Sequence, residues 1–322
     1  FGEGLLALGG GEYAAEDLVR PHADWVRPLG VEVWGRRVWT VPPASQGYLS
    51  LAGAWIAERL ELPDPADGRW AHLLVEAARQ AAFDRGDVLH EHADGAALIA
   101  SERLEPRLRA IDPGRAARLG DAYGGGGTIF LCALDEEGTG VSLIQSNFWG
   151  WGSLLVVPGV RIFLQNRGSG FSLVPGHPAE YGPGRRPPHT LSPALVTRPD
   201  GSLDLLLGSM GGDSQPQIVL QLLVRRLAAG EETGEAIAAP RWVLTGPHPE
   251  LDTWAAGGEV TVRVEAHAPP DWFRALERRG HRVERAGSWE HGFGEAHAIA
   301  VGEEHLAGAS DPRSLAGAAA GY

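Results

Sequence analysis

The sequence predicts an α+β fold, because strand patterns and helix patterns form separate groups along the chain. Residues 128–134 and 139–146 are two β-rich runs joined by a short acidic turn that ends at Gly138, as in a β-hairpin. Residues 70–81 carry apolar side chains three, four and seven positions apart, which indicates one buried helical face. The strands and helices do not follow a regular βαβ order, so the pattern favours α+β over a parallel α/β architecture.

The remaining elements follow from the same patterns. The run at residues 128–134 is apolar almost throughout and therefore predicts a buried central strand. The Pro- and Gly-containing stretch at residues 42–47 predicts a loop that enters a helix. Further strands are predicted at residues 31–41, 161–165, 194–197, 203–207, 259–265 and 296–301, and further helices within 101–118 and at 217–229 and 271–279.

Composition excludes several classes of function. The 322 residues include 28 basic and 41 acidic side chains, for a net charge of −13, and every basic side chain is Arg. A catalytic, Schiff-base or P-loop Lys is therefore excluded, and the acidic balance argues against nucleic-acid and anionic-membrane partners. The single cysteine, Cys132, excludes an intrachain disulfide framework. No apolar run reaches the roughly 18 residues that a membrane helix needs.

Thr128 is the first candidate for chemistry, because it follows four glycines at the start of the predicted hairpin. If the Gly127–Thr128 bond were cut, the new α-amino group, with a reference pKa of about 7.7–8.0, would serve as a general base for the Thr128 hydroxyl. The alternative is an ordinary β-branched residue that opens a strand. The glycines do not match a phosphate-binding loop, because a strand follows them and the sequence has no Lys.

A second candidate is the glycine-rich stretch at residues 208–213, between an apolar strand and an amphipathic helix. Backbone N–H groups of Gly211 and Gly212 would suit an oxyanion hole near a helix N-terminus, and the alternative is a tight strand-to-helix turn. A polar stretch that could supply metal ligands is better interpreted as a solvated loop, and we expect no metal and no organic cofactor because chemistry at Thr128 needs neither. Its residues are His90, Glu91, His92 and Asp94.

Several stretches together resemble the gamma-glutamyltranspeptidases, and more narrowly the branch called gamma-glutamyltransferase-like or cephalosporin-acylase-like. Residues 127–138 and 144–148 resemble the start of that family's small subunit. Other stretches resemble the large subunit before this point and the small subunit after it. They are residues 42–47 and 76–85 for the large subunit, and 164–171, 186–193, 211–217 and 308–322 for the small subunit.

The resemblance implies an N-terminal nucleophile hydrolase, a four-layer αββα sandwich made as a precursor that cuts itself between Gly127 and Thr128. Residues 1–127 would be the C-terminal part of the large (α) subunit region, and residues 128–322 the small (β) subunit, with the two subunits paired after cleavage. Matched by position, Thr128 is the nucleophile, Ser146 orients its hydroxyl, and Gly211 and Gly212 supply the oxyanion N–H groups.

Substrate recognition is expected to differ from that of true transpeptidases. The carboxylate that holds the substrate α-amino group is replaced by Gly170, and His189 and Thr190 stand where the family has paired serines. An α-ammonium group without its carboxylate loses a charge-assisted hydrogen bond, whereas the nearby Arg167 suits an acidic acyl group, as in glutaryl or oxalamate-like amides. The alternative is a genuine γ-glutamyl transferase in which Asn147 or other residues bind the α-amino group.

The predicted function is a self-processing amidohydrolase or acyltransferase, which passes the acyl group of a small γ-glutamyl or glutaryl-like amide to water or an amine. The competing hypothesis is an unprocessed, inactive homologue that acts as a binding or scaffold protein. The Arg that grips the γ-glutamyl carboxylate in this family belongs to a part of the large subunit that this sequence does not include. The chain starts with Phe1 rather than Met, so we expect a processed product or a truncation point and infer no compartment.

Overall fold

The computed structural model describes residues 1–10, 12–119, 127–246 and 260–321. Its helices are α1 Gly2–Leu8, α2 Ala15–Val19, α3 Tyr48–Glu58, α4 Gly68–Ala82, α5 Arg85–Val88, α6 Gly95–Leu98, α7 Ser101–Arg109, α8 Gln215–Leu223, α9 Thr233–Ala238 and α10 Pro270–Arg278. Its strands are β1 Leu29–Val33, β2 Arg36–Thr40, β3 Gly127–Leu134, β4 Gly140–Phe148, β5 Val156–Val157, β6 Ile162–Phe163, β7 Ala194–Thr197, β8 Leu203–Ser209, β9 Trp242–Thr245, β10 Thr261–Glu265, β11 Arg282–Ala286, β12 Ala296–Val301 and β13 Leu306–Ser310.

A six-stranded antiparallel sheet lies at the centre, in the order β1-β2-β7-β8-β12-β13. Strand β8 is buried on both faces, which explains its continuous apolar run. Because side chains alternate along a strand, Leu205 and Leu207 join the core formed with helices α3, α4 and α8. Leu206 and Gly208 point the other way, towards the β3–β4 hairpin. The central sheet is therefore covered from both sides at β8.

The hairpin β3–β4 forms its own two-stranded sheet on the face of the central sheet opposite the helices. Phe130 points inward and is 4% exposed, but the other face of the hairpin is open. The prediction of a buried central strand at residues 128–134 is therefore wrong, because no layer covers that outer face within the described ranges. The open apolar side chains are Ile129, Leu131, Val141 and Leu143.

The two predicted subunit regions share one core. Strands β1 and β2 come from before residue 127, and the other four strands of the central sheet come from after it. Helix α4 packs on α10, where the Trp70 and Trp272 rings stack with centroids 5.2 Å apart. The second sheet, in the order β11-β10-β9, adjoins α10 and carries a parallel β10–β11 pair. Both regions are therefore needed for the central sheet and its helical layer.

Most of the predicted elements are confirmed, with shifted ends. Strands β7 and β12 have the predicted bounds, the run at 31–41 divides into β1 and β2, and 203–207 extends to Ser209. The predicted strand at 161–165 shortens to Ile162–Phe163, and the one at 259–265 begins at Thr261, with residue 259 outside the described residues. Strands β5, β9, β11 and β13 were not predicted. Helix α8 starts two residues earlier than expected and continues as a π-helical turn at Val224–Ala228.

Within the described ranges, no helix is both long enough and apolar enough to cross a membrane.

Candidate functional site

Thr128 lies at the open end of the hairpin, at an irregularity in the β3–β4 pairing. Gly127 pairs with Phe148 and Ile129 with Gln145, so Ser146 and Asn147 both stand opposite Thr128 in a β-bulge. The bulge brings two hydroxyls together, since Thr128 Oγ1 donates to Ser146 Oγ at 3.2 Å. Ser146 Oγ also accepts from the Phe148 amide at 2.8 Å. The predicted partnership of Thr128 and Ser146 is thus present in the geometry.

Gly211 and Gly212 form a sharp turn, here called the glycine turn, between β8 and the 3₁₀ segment Gly212–Ser214 that leads into α8. Their φ angles are 138° and 57°, a region where side chains with a Cβ are strained. Among the described residues, neither amide N–H has a hydrogen-bond acceptor. These two donors therefore remain available to an acceptor that enters the site.

The hairpin runs along β8 in a direction that carries Thr128 towards the glycine turn. At one end, a Cβ built on Gly140 would meet the side chains of Leu203 and Leu206. Further along, a Cβ on Gly208 would lie 2.4 Å from the Phe130 ring, so Gly208 is needed for this close packing. Strand β3 runs antiparallel to β8, so Thr128, two residues before Phe130, lies in the same direction as Gly211, three residues after Gly208.

A cleft next to this end of the hairpin gathers most of the predicted substrate-binding residues. Arg167, His189 and Thr190 line it, together with Phe148, which follows Asn147, and Asp213, which follows Gly212. Its other lining residues are Gln46, Arg85, Leu89, Gly170 and Pro188. Asn147 lies in the bulge rather than in the cleft wall, and its carbonyl accepts from the Asn166 amide at 3.1 Å. Ser146 and Gly212 are thus close in sequence to residues that line the cleft, and Thr128 and Gly211 lie beside them.

Arg167 places a buried positive charge in the cleft. Its side chain is 8% exposed, and Nη1 donates to Thr190 Oγ1 at 3.4 Å. Nη2 is buried with no hydrogen-bond partner, and no carboxylate pairs with the guanidinium, in the part of the chain that the structure describes. Burial lowers the pKa of Arg167 to about 10, so the group remains a cation at neutral pH.

His189 is neutral at physiological pH. Burial and the nearby charge of Arg167 lower its pKa to about 4. Its backbone bridges to the loop before α3, where His189 N donates to the Ala44 carbonyl and the Gln46 amide donates to the His189 carbonyl, each at 2.9 Å. Of Arg167 and His189, Arg167 is therefore the one that presents a positive charge to a ligand in the cleft.

Three residues near the glycine turn were not assigned any role from the sequence. Arg85 Nη1 donates to Asp213 Oδ1 at 2.6 Å and to Gln46 Oε1 at 2.8 Å. Gln46 Nε2 in turn donates to the carbonyl of Gly212 at 3.0 Å. Gln46 and Arg85 belong to the two stretches that resemble the large subunit, which was the only signal for them. This network ties the region before residue 127 to the glycine turn.

A cluster of metal-ligand type lies in the core, at His72, Glu76 and His281. His72 Nδ1 and His281 Nε2 are 2.8 Å apart, a hydrogen-bond distance, and Arg79 donates to Glu76 at 3.1 Å. The Arg79 guanidinium already supplies the positive charge that a metal ion would otherwise bring to the Glu76 carboxylate. The stretch at residues 90–94 behaves as a polar loop, since Glu91 pairs with Arg185 and Asp94 caps α6.

With this geometry in hand, similarity to known proteins identifies the family. A model of the gamma-glutamyltranspeptidase family matches residues 4–322. The chain belongs to the gamma-glutamyltranspeptidase family. It is 36% identical to an oxamate amidohydrolase proenzyme of Klebsiella pneumoniae subsp. pneumoniae, covering 99% of this chain and 60% of that protein. It is 34% identical to a glutathione hydrolase-like proenzyme of Bacillus subtilis, covering 94% of this chain and 58% of that protein.

The structure of a cephalosporin acylase from Bacillus halodurans superposes with a TM-score of 0.85 and 32% identity, over 97% of this chain and 57% of that one. This likeness confirms the N-terminal nucleophile hydrolase fold that the resemblance implied. The described residues contain three layers of the sandwich, namely helices, central sheet and hairpin sheet. As a member of the gamma-glutamyltranspeptidase family, the chain spans about 60% of the length of the curated relatives it matches.

Proposed function

We propose that this member of the gamma-glutamyltranspeptidase family is an N-terminal-threonine amidohydrolase or acyltransferase that matures by cleavage between Gly127 and Thr128. The observation that carries the proposal is the hydroxyl pair of Thr128 and Ser146 in a bulge at the end of the hairpin that runs towards the glycine turn. A nucleophile, an orienting hydroxyl and two backbone donors are the parts that acyl transfer requires.

The proposed maturation begins with attack of Thr128 Oγ1 on the Gly127 carbonyl carbon. The hydroxyl proton passes to the Thr128 nitrogen as the Gly127–Thr128 C–N bond breaks and an ester forms. Water then hydrolyses the ester to a Gly127 carboxylate and the Thr128 hydroxyl, which now lies beside a free α-amine. In turnover, that amine takes the proton from Oγ1, which attacks the substrate amide, and the proton passes to the leaving amine. Gly211 and Gly212 donate to the tetrahedral oxyanion, and water or an amine then releases the acyl group from the ester.

The two parts of a cleaved chain would stay together. We propose residues 1–127 as the large-subunit region and 128–322 as the small subunit. Cleavage would separate neither the central sheet, to which both regions contribute strands, nor the buried pair of Arg85 and Asp213. The maturation step therefore frees the Thr128 amine without removing the groups that shape the site.

The proposed substrates are amides whose acyl group carries a carboxylate. A buried guanidinium without a carboxylate partner is costly, so a ligand carboxylate that reaches Arg167 Nη2 gains a charge-assisted hydrogen bond. Thr190 supports the other end of the guanidinium, and His189 and Asn147 are proposed as further substrate contacts. The relative from Klebsiella pneumoniae is named for oxamate, an amide bonded directly to a carboxylate.

The cleft lacks room for the carboxylate that would hold an α-ammonium group. A Cβ at Gly170, the position matched to that carboxylate, would lie 2.5 Å from the backbone carbonyl of Pro188. The acidic residue in the cleft, Asp213, already pairs with Arg85. We therefore propose half-amides of dicarboxylic acids, such as glutaryl amides, ahead of γ-glutamyl compounds.

The test of the nucleophile uses the full-length protein, with Thr128→Ala as the variant and Thr128→Ser as the control that keeps a hydroxyl. We expect wild type to yield a chain that starts at Thr128, detected by intact mass and N-terminal sequencing, and Thr128→Ala to remain uncleaved and inactive. Cleavage of the Ala variant would refute the assignment of the nucleophile. A wild-type protein that stays intact and turns over no amide would instead favour the binding or scaffold hypothesis.

The test of the substrate class compares glutaryl-p-nitroanilide with γ-glutamyl-p-nitroanilide. We expect a higher kcat/KM for the glutaryl compound, and a loss of about 10–100-fold in that value for Arg167→Ala, the size expected for a hydrogen bond to a charged group. Arg167→Lys should keep part of the activity. An Arg167→Ala variant with unchanged kcat/KM would show that Arg167 does not hold the substrate carboxylate.

A further inference from the structure

The carbonyl groups of the glycine turn are held by two serine hydroxyls. Ser209 Oγ donates to the Met210 carbonyl at 2.7 Å, and Ser214 Oγ donates to the Gly211 carbonyl at 2.6 Å. The Gly211 carbonyl also accepts from the Ser214 amide at 3.0 Å. Ser209 is fully buried and Ser214 is 8% exposed, so water competes little for these bonds.

These bonds fix the direction of the two free N–H groups. A trans peptide unit is planar, so its C=O and its N–H point in opposite directions. The Met210 carbonyl shares a peptide plane with the Gly211 N–H, and the Gly211 carbonyl shares one with the Gly212 N–H. Each serine, by holding a carbonyl on one side of the turn, directs the matching N–H to the other side.

The Ser214 hydroxyl does not make the hydrogen bond that is usual at its position in the helix. It is the N-cap residue of α8, and a serine there usually accepts a hydrogen bond from an amide of the first helical turn. No such bond forms, because the hydroxyl points back to Gly211. The Ser209–Met210 hydrogen bond needs a glycine at position 294, because a Cβ there would lie 2.5 Å from Ser209 Oγ and 2.6 Å from the Met210 carbonyl oxygen.

Gln46 holds the next carbonyl along the turn. Its Nε2 donates to Gly212 O, and its own Oε1 accepts from Arg85. Three successive carbonyls, those of Met210, Gly211 and Gly212, are therefore bonded by side chains. Two glycines with positive φ have little intrinsic preference for one orientation, so these bonds supply the rigidity that the turn itself lacks.

We infer that Ser209 and Ser214 are positioning residues that orient the Gly211 and Gly212 N–H groups towards the oxyanion of the reacting amide. The inference rests on the proposed function, because it needs a tetrahedral oxyanion at this turn. Donors that are already oriented stabilise charge as it develops and require no reorganisation during the reaction. The two serines consequently act on the transition state and leave the binding of the ground state unchanged.

The experiment measures steady-state kinetics of Ser209→Ala and Ser214→Ala in the full-length protein, with glutaryl-p-nitroanilide as substrate. Loss of a whole oxyanion donor costs about 10²–10³ in kcat, so misdirection of one donor is expected to cost about 10-fold, with KM within about twofold of wild type. Ser214→Thr keeps the hydroxyl and should recover most of kcat. Thr40→Val is the matched control, because Thr40 Oγ1 also donates to a backbone carbonyl, that of Pro193, but outside the turn.

The affinities of two ligands distinguish misdirected N–H groups in the glycine turn from general damage to the fold. Glutaric semialdehyde forms a tetrahedral hemiacetal with the Thr128 hydroxyl, and its affinity should fall by the same factor as kcat. Glutarate has no tetrahedral carbon at that position and should bind as to wild type. A variant that merely misfolds would lose both ligands together.

Unchanged kcat in both serine variants, or a loss of glutarate affinity equal to that of the aldehyde, would overturn the inference. Thr128→Ala separates this failure from that of the proposed function. If Thr128→Ala abolishes turnover while the serine variants retain wild-type kcat, the nucleophile stands and the role of the serines is refuted. If Thr128→Ala retains turnover, the proposed function itself fails.

Discussion

The glycine turn and the β3–β4 hairpin both border the cleft but are held in different ways. At the turn, Gly212 is buried and Gly211 is half-buried, and the carbonyls of Met210, Gly211 and Gly212 are bonded by Ser209, Ser214 and Gln46 in that order. Thr128 is half-buried, and the bond that fixes its hydroxyl is the one to Ser146. One face of the hairpin packs on β8, and the other is open. The proposed oxyanion donors are thus more tightly constrained than the proposed nucleophile.

This difference predicts how substitutions divide between stability and activity. Gln46 and Arg85 reach the glycine turn from the region before residue 127, so their loss should lower the free energy of unfolding as well as the activity. Ser146 lies at the end of the hairpin beside Thr128, so its loss should affect turnover with little change in the free energy of unfolding. The following substitutions test that division.

Arg85→Ala should have the largest effect. It leaves the Asp213 carboxylate buried without its guanidinium partner, and breaking such a pair costs about 3–5 kcal/mol of unfolding free energy. The Gln46 side chain also loses the donor to its oxygen, so activity should fall too. Urea unfolding measures the first effect. The control is Arg109→Ala, whose ion pair with Glu105 is exposed and should contribute less than about 1 kcal/mol. Equal costs for the two variants would contradict the central role of the Arg85 network.

Ser146→Ala should lower kcat by about 10–100-fold, the effect of losing one hydrogen bond to a reacting group, while the unfolding free energy changes by less than about 1 kcal/mol. The Thr128 hydroxyl would lose its orienting acceptor. Ser142→Ala is the control, since Ser142 lies on the same strand and its hydroxyl has no partner among the described residues. A kcat for Ser146→Ala equal to that of Ser142→Ala would remove Ser146 from the site.

The pH dependence of the unfolding free energy should report on His189, which lines the cleft. Its folded pKa of about 4 lies below the value of about 6.5 for an unfolded chain. Between these values the unfolded state binds more protons, so stability is full above about pH 6.5 and falls as the pH drops towards 4. His281, with a pKa lowered to about 3 by burial, adds to this loss. His189→Gln should therefore reduce the slope of unfolding free energy against pH without abolishing it, and an unchanged slope would contradict the burial of His189 as its cause.

The same contrast explains what the sequence could reveal. The hairpin was predictable because its strand runs and acidic turn are local patterns, and the turn forms as expected, with Gly138 at a φ of 83°. The glycines at 211 and 212 were visible for the same reason. Gln46 and Arg85 were not, because they reach the turn across 166 and 128 residues of sequence. Their stretches were noticed only through likeness to a family.

Burial of the hairpin strand was predicted wrongly for a related reason. An apolar run shows that both faces can be buried, but whether they are depends on which layers the rest of the chain places against them. Phe130 and Leu131 are adjacent and both apolar, yet the first packs under Gly208 and the second is 44% exposed. The identity of the side chain alone does not distinguish them.

Leu143→Thr on the open face should have the smallest effect. A buried leucine cut back to alanine costs about 2–5 kcal/mol, whereas an exposed substitution that keeps β-strand propensity should change the unfolding free energy by less than about 0.5 kcal/mol. Leu143 is 40% exposed, and its neighbours across the hairpin are equally open. The measurement is urea unfolding of the 322-residue chain at two protein concentrations. A cost in the range of a buried leucine would show that the open face is covered in solution, and a dependence on concentration would identify a second copy of the chain as the cover.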